Sequence, residues 1–356
     1  GQIMDNYRQS VAVAGTHGKT TTTSMISQIL LCAAADPTLS VGGILDAIGG
    51  NIRVGHSDIF VTEACEYTNS FLHFHPRYSI ILDIEAEHLD FFKDINDIRH
   101  SFHLFAKNTI SDGAIIMNGQ IERPEEITEG LSQEVITYGL DPSFTYYAKD
   151  ITYNEKACGR FSVYKNGEKL GEVALSVPGE HNVYNSLAAI AVTEKMGISL
   201  EDIIHGLSIF GGAKRRFELK GKVNGITVID DYAHHPQEIA ATLAAAKNYP
   251  HREIWCVFQP HTYTRTKALM EDFAKALSAA DHVVLADIYA ARETDNLGIS
   301  SETLAEKIAA LGTDTHYFPS FDAIETFLLE NCVNGDLLIT MGAGDIVKVG
   351  EKLLGQ

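Results

Sequence analysis

The sequence predicts a two-part α/β protein, with a parallel sheet in each part and a small antiparallel β insert in the first. Three observations predict it. Apolar runs that read as buried strands alternate with helical patterns from residue 11 to about 210, and again from about 226 onward. Phe210-Gly-Gly-Ala-Lys-Arg-Arg-Phe217 interrupts the alternation with a flexible, basic stretch suited to a domain junction. A chain of 356 residues is also longer than one typical core supports. The boundary is placed between residues 214 and 215, giving domains of 1–214 and 215–356.

Each element follows from its residues. Residues 11–14 are apolar and strand-like, and a helix begins at about 19 after a glycine turn. Further strands are expected at 58–63 and 78–84. Between about 135 and 178 the pattern shortens to alternating strands, with Phe161–Leu170 forming a hairpin around Asn166-Gly167. An alanine-rich helix follows from about 181. After the junction, strands at 226–230, 254–258, 282–286 and 336–341 alternate with helices such as 237–248 and 266–279. The repeated β-α-β order implies a doubly wound, Rossmann-like sheet whose ligand groups lie beyond the carboxyl ends of its strands. The polar segments Asp230–Pro236, Gln259–Arg265 and Gly342–Asp345 fall at those ends.

Composition excludes several classes of function. Hydrophobic residues make up 45% and charged residues 21%, ordinary for a globular protein, and no apolar run is long enough to cross a bilayer, so membrane insertion is not expected. The formal charge of −19 disfavours a nucleic-acid partner, which would require a basic face. Five scattered cysteines without a C-x-x-C pair fit free thiols in a reducing, cytoplasmic setting rather than a disulfide frame or structural zinc site. The first residues, Gly-Gln-Ile-Met-Asp-Asn-Tyr-Arg, contain neither an initiating methionine nor a signal-peptide core and read as a cut end. Glu122–Glu134 is acid-rich and reads as a solvated surface.

The densest chemistry lies in Val11–Thr23. Gly15 and Gly18 permit a tight turn whose amides face inward, Lys19 adds a point charge, and Thr20 takes the hydroxyl position that faces Mg2+ in a phosphate-binding loop. The general motif has a glycine where this chain has Val13, so G-T-H-G-K-T is a shortened form. This makes the first part P-loop ATPase-like. Glu63 ends a strand expected beside the P-loop strand, where a carboxylate can hold Mg2+ directly or through water. The run Ile80–Asp90 ends a third strand in acids around His88, a candidate ligand for a second cation or a phosphate oxygen. His73 and His75 read as surface or packing residues.

Together, Gly15–Thr21, Glu63–Phe71, Glu87–Asp90, His181–Asn185, Arg215–Phe217, Asp230–Pro236 and Gln259–Arg265 resemble, in order, the motifs of the ATP-dependent Mur ligases. The resemblance runs from about residue 10 to the end of the chain and is nearest to the branch that adds L-alanine to UDP-N-acetylmuramate. It implies a cytoplasmic bacterial ligase of peptidoglycan precursor synthesis. ATP would activate the substrate carboxylate as an acyl phosphate, and the L-alanine amine would then displace phosphate. For the nucleotide it implies Gly15, Thr16, His17, Gly18, Lys19, Thr20, Thr21, Asn182, Asn185, Arg216 and Asp231. The cation ligands would be Thr20, Glu63 and His88, with Lys19, His88 and Arg216 acting in catalysis. His235, His261 and Arg265 would meet the amino acid or its activated partner, and Asn51 and Ser70 the sugar nucleotide. Since these motifs fall in both domains, the resemblance implies an active site that both supply.

The departures also matter. Asp83 and Glu87 stand where many relatives have asparagine and aspartate, which preserves or adds acid. The helix after this motif shows Arg99, His100, His103 and Lys107, so no carbamylated lysine is carried over. The family's separate uridine-diphosphate-binding domain has no counterpart before Gln2, so the chain reads as a two-domain fragment. Alternative readings are a murein peptide-recycling ligase, a P-loop phosphotransferase and a non-catalytic nucleotide-binding module.

Overall fold

The computed structural model describes residues 1–88 and 91–356, so the Leu89-Asp90 end of the Glu87–Asp90 motif lies outside the described residues. Two compact units emerge: Gly1–Asn154 with Cys158–Lys214, and Arg215–Gln356 with Glu155–Ala157. Each is described by itself.

In the first unit the strands are β1 (Gln9–Ala14), β2 (Thr38–Leu45), β3 (Gly50–Arg53), β4 (Ile59–Glu63), β5 (Tyr78–Ile81), β6 (Ala114–Asn118), β7 (Glu134–Gly139), β8 (Tyr146–Tyr153), β9 (Cys158–Lys165) and β10 (Glu168–Pro178). The helices are α1 (Lys19–Cys32), α2 (Ile95–Lys107), the short α3 (Glu125–Thr128), α4 (Glu180–Lys195) and α5 (Leu200–Ile209). All these strands join one sheet, ordered β10-β9-β8-β7-β6-β5-β1-β4-β2-β3. The P-loop strand β1 lies near its middle, parallel to β4 on one side and β5 on the other. The register sets Val13 opposite both Glu63 and Ile80, so the three strands deliver their following loops to one end of the sheet.

Strand alternation divides the core. Val11 and Val13 join Met25, Ile29, Val61 and Ile80 on the face covered by α1, α4 and α5, while Ala12 and Ala14 join Phe71, Phe102, Phe105 and Ile115 on the face covered by α2. The antiparallel strands do not form a detached insert: β8 pairs in parallel with β7, and β9 and β10 continue that edge antiparallel. Asn166 (φ 50°) and Gly167 (φ 87°) close the β9–β10 hairpin in left-handed conformations, as the Asn-Gly pair requires. The strand expected over 78–84 ends at Ile81, because Asp83 turns back to hold the glycine loop.

In the second unit β11 (Glu218–Val223), β12 (Ile226–Asp231), β13 (Ile254–Phe258), β14 (His282–Leu285), β15 (Asp314–Tyr317) and β16 (Leu337–Met341) form a sheet ordered β11-β12-β16-β13-β14-β15. Only the β11–β12 pair is antiparallel among them. Helices α6 (Pro236–Lys247), α7 (Tyr263–Ala268), α8 (Met270–Leu277), α9 (Ser301–Ala310), α10 (Phe321–Asn331) and α11 (Val347–Leu353) complete this unit. The single helix expected over 266–279 is two, broken where Leu269 leaves helical geometry (φ −113°, ψ 23°). Among the described residues, no helix is long and apolar enough to cross a membrane.

Candidate functional site

The glycine loop is fixed by sterics before any ligand is considered. Gly18 has φ +80°, and a Cβ there would lie 2.7 Å from the Asn185 side-chain oxygen; a Cβ on Gly15 would lie 2.8 Å from Leu82 and 2.9 Å from Asp83. Only glycine fits either position. The loop is tied to the segment after β5: the His17 amide donates to Asp83 at 2.8 Å, the Thr16 amide to the Asp83 carbonyl at 3.3 Å, and the Glu85 amide to the Thr16 hydroxyl at 3.0 Å. The His17 ring meets Glu85 at 3.1 Å.

The first intrahelical bond of α1 runs from the Thr22 amide to the Gly18 carbonyl. The amides of Lys19, Thr20 and Thr21 are therefore among the unpartnered donors with which every helix begins, at the positive end of its dipole. Thr20 is buried on this first turn, and Thr21 is half-buried.

Lys19 Nζ donates to the Gly15 carbonyl at 2.5 Å, to the Thr16 carbonyl at 3.1 Å, and to Glu66 at 3.1 and 3.3 Å. Burial works most strongly against its ammonium, yet Glu66, Cys65 and Asp83 together outweigh burial, and the pKa stands above that of an ordinary lysine. Burial likewise disfavours the Glu66 carboxylate, but Lys19 and a bond from His88 bring its pKa below the usual range. His88 Nε2 stands 3.5 Å from Glu66, and potential ligand atoms of Glu66, Glu87 and His88 lie within 4.8 Å of one another. Two carboxylates and an imidazole suit a divalent cation. Burial pushes Asp83 up to about 6, a rise limited by the His17 ring and amide and by Lys19.

The carboxylate that the structure places beside Lys19 and His88 is Glu66, while Glu63 stays at the end of β4. Glu63 is the last residue of β4, and its carboxylate accepts the Gly42 amide at 2.6 Å, whereas Glu66 sits beyond the strand end, next to Lys19 and His88. Period-2 patterning marks where β4 ends, but it does not say where the following irregular turn, with Thr68 and Asn69 at φ 54° and 59°, carries its side chains. The recurrence of glutamate in Glu63-Ala-Cys-Glu66 was the available signal. Cys65, between them, has its thiol pushed up by burial and by Glu66, which keeps it protonated and weakly nucleophilic.

The other expected positions of the first unit lie on α4, β3 and the turn after β4. Asn182 and Asn185 lie on the first turns of α4, where Asn182 donates to the Pro178 carbonyl at 2.7 Å and accepts from Asn185 at 3.1 Å; Asn185 also packs against Gly18. Asn51 is exposed on β3, and the Ser70 hydroxyl is taken up in its own turn, donating to the Tyr67 carbonyl at 2.7 Å. The structure does not bring these two into the Lys19 cluster.

In the second unit, Asp231 ends β12 and accepts the Phe217 and Ala233 amides at 2.9 and 2.8 Å. Burial pushes it up to about 6 despite the nearby Arg216. Arg216 lies over the Tyr232 ring at 5.2 Å, with Glu238 at 3.9 Å. His235 is buried at the start of α6, and the Glu238 side chain accepts the His234 and His235 amides. His261 faces Arg265 at 3.3 Å and Tyr289 at 5.5 Å between ring centroids. Burial, then Arg265 and His234, lower it to about 4, so its imidazole is neutral near pH 7.

Comparison with known proteins fits this arrangement. Residues 13–193 match the Mur ligase middle domain, and residues 215–344 match the Mur ligase glutamate ligase domain. The chain is 64% identical over 354 residues to a UDP-N-acetylmuramate--L-alanine ligase of Agathobacter rectalis, covering 99% of this chain and 77% of the relative. The crystal structure of the UDP-N-acetylmuramate-alanine ligase from Thermotoga maritima superposes with a TM-score of 0.84 at 29% identity, covering 99% of this chain and 76% of that one. A murein peptide ligase from Psychrobacter arcticus gives 0.75 at 29% identity, over 99% of this chain and 78% of that one. With its glycine loop, its buried Lys19–Glu66 pair and both domain matches in sequence order, the chain belongs to the Mur ligase family.

Proposed function

We propose that this chain joins L-alanine to the carboxylate of UDP-N-acetylmuramate with consumption of ATP, as a step of peptidoglycan precursor synthesis in the bacterial cytoplasm. The observation that carries the reading is Lys19, held by Glu66 and by two loop carbonyls at the glycine turn that opens α1. Mur ligases are ATP-dependent and form amide bonds. The 64% identity to a relative named for L-alanine favours that amino acid over the murein peptide acceptor of a recycling ligase.

The residues divide the work. Residues 1–214 form the ATP-binding domain and residues 215–356 the C-terminal domain. The Gly15–Thr21 loop and the first amides of α1 receive the phosphates of ATP. Lys19 exchanges its loop carbonyls for phosphate oxygens and offsets negative charge as the substrate carboxylate attacks the γ-phosphorus, forming an acyl phosphate and ADP. Attack of the L-alanine amine on the acyl carbon then expels phosphate and leaves the amide. Glu66, Glu87 and His88, with the Thr20 hydroxyl, would hold Mg2+, which supplies charge neutralisation between the two approaching anions. Asn182, Asn185, Arg216 and Asp231 serve the nucleotide. His235, His261 and Arg265 serve the amino acid; neutral His261 is a hydrogen-bond acceptor for an ammonium.

The test is phosphate release by this chain and by an N-terminally extended form with ATP and UDP-N-acetylmuramate, with and without L-alanine, in parallel with a murein tripeptide. L-alanine-dependent release is expected. Release that depends on the tripeptide instead would move the chain to the recycling class, and release indifferent to any acceptor would leave only a nucleotide hydrolase.

A further inference from the structure

Two large aromatic side chains stand exposed at the edge of the Lys19–Glu66–His88 cluster. Tyr67, immediately after Glu66, is 37% exposed, and Phe91, three residues after His88, is 43% exposed. The Tyr67 ring centroid lies 4.6 Å from that of His88 at a 34° tilt, and 6.2 Å from that of Phe91, edge to face. Phe91 in turn meets Phe92, which is buried in the core, at 4.9 Å. Phe91 is thus backed by the core, and both rings keep part of their surface exposed. Exposed aromatic pairs leave apolar area in water, a cost that a bound ligand relieves.

We propose that Tyr67 and Phe91 form a stacking shelf for the sugar ring of the carboxylate-bearing substrate, which makes them specificity-determining residues for the acceptor. This inference rests on the ligase reading above. In that reaction the substrate carboxylate must arrive where Lys19 and the Glu66–His88 pair gather phosphate and cation. A ring within 4.6 Å of His88 is in reach of whatever carries that carboxylate. The acceptor carries it on a lactyl ether of a pyranose, and the axial C–H face of a pyranose packs on aromatic rings, while its hydroxyl and N-acetyl groups stay toward polar neighbours. Beside the shelf, the Thr68 and Ser70 hydroxyls, both donating to the Tyr67 carbonyl, stand 3.1 Å apart on an exposed turn and offer their oxygens as acceptors to such groups. A triphosphate has no comparable apolar face to offer at this end of the loop.

Steady-state kinetics on Tyr67→Ala and Phe91→Ala test the shelf, with Tyr67→Phe as the conservative variant and Tyr67→Leu as a variant that keeps apolar bulk without a π face. Each alanine change is expected to raise KM for UDP-N-acetylmuramate about fivefold to tenfold, the scale of one lost aromatic contact, with KM for ATP unchanged. Tyr67→Phe should keep the parent KM, and Tyr67→Leu should share the loss, which supplies the answer even where Tyr67→Ala does not fold. Saturation-transfer NMR with N-acetylmuramic acid, without ATP, should show contact at its ring protons in the parent and a weaker signal in the alanine and leucine variants. An unchanged acceptor KM, or a parallel rise in KM for ATP through displacement of His88, overturns the shelf. Failure to ligate any acceptor, by this chain and by a form extended N-terminally with a uridine-diphosphate-binding domain, would instead overturn the ligase reading, and the NMR contact would then decide the shelf independently.

Discussion

The glycine loop of the first unit and the β12 end of the second use one device for two purposes. In each, an aspartate at the end of a parallel strand or just beyond it grips backbone amides: Asp83 holds His17, and Asp231 holds Phe217 and Ala233. Burial pushes both carboxyls up to about 6. What they hold differs. Asp83 fixes a turn of glycines, whose Lys19 spends its charge on loop carbonyls and on Glu66, partners that a phosphate can displace. Asp231 fixes a turn in which Arg215 and Phe217 adopt φ 60° and 47°, and there Arg215 is spent on structure: it pairs with the fully buried Asp230 at 2.8 Å and donates to the Gly342 and Gly344 carbonyls. Hence two basic residues beside equivalent strand ends are expected to fail differently when removed, Lys19 in turnover and Arg215 in stability.

The largest effect should therefore come from Arg215→Ala. It strands Asp230 without its cation and is expected to cost about 3 kcal/mol or more of stability in urea unfolding. A variant that melts with the parent would abolish the distinction between the two turns. Next comes Lys19→Ala, expected to lower turnover about a hundredfold or more, the scale of one preorganised electrostatic donor, with only a small change in melting temperature. Near-normal turnover there would remove Lys19 from the reaction. A sharper version compares Glu66→Gln with Glu63→Gln: the first should slow the reaction at limiting Mg2+, and the second should leave that dependence alone.

A third prediction concerns pH. The Asp231 pKa is raised from 3.8 to about 6, so between those values the folded chain keeps a proton that the unfolded chain has lost. Stability relative to Asp231→Asn should be highest below pH 4, fall as pH rises through that window, and level off above about pH 6, by about 3 kcal/mol at most. Unfolding curves of parent and variant that stay parallel from pH 4 to 7 would remove the linkage. The smallest effect is expected from Gly18→Ala, where left-handed strain of about 1–2 kcal/mol adds to a contact with Asn185 that must give way. Its melting temperature should drop by a few degrees. A larger loss in ATP binding than in stability would show that the loop's shape, beyond its mere folding, serves the nucleotide.

Much of the fold was legible because its strands are buried on both faces and read as continuous apolar runs. Val11–Ala14, Ile254–Phe258 and Leu337–Met341 needed no context. Less legible were β2, β3 and β15, whose mixed residues become strands through their neighbours in the sheet. The break at Leu269 was hidden too, because neither glycine nor proline marks it. At the site, Gly15, Gly18 and Lys19 announce themselves by spacing. Glu66 does not, since its position depends on an irregular turn with two left-handed residues that no periodicity encodes.

By itself, the sequence determined the two α/β halves, the glycine loop and the motif order that marks a Mur ligase, since each is a local matter of hydrophobic period, backbone freedom or spacing. Tertiary structure alone decided which carboxylate meets Lys19, which arginine is spent on holding a turn, and that Asn185 closes on Gly18 from a helix more than a hundred and fifty residues away. Those choices depend on side chains converging from separate strands and helices, and convergence is fixed by packing and register, which no single stretch of chain contains.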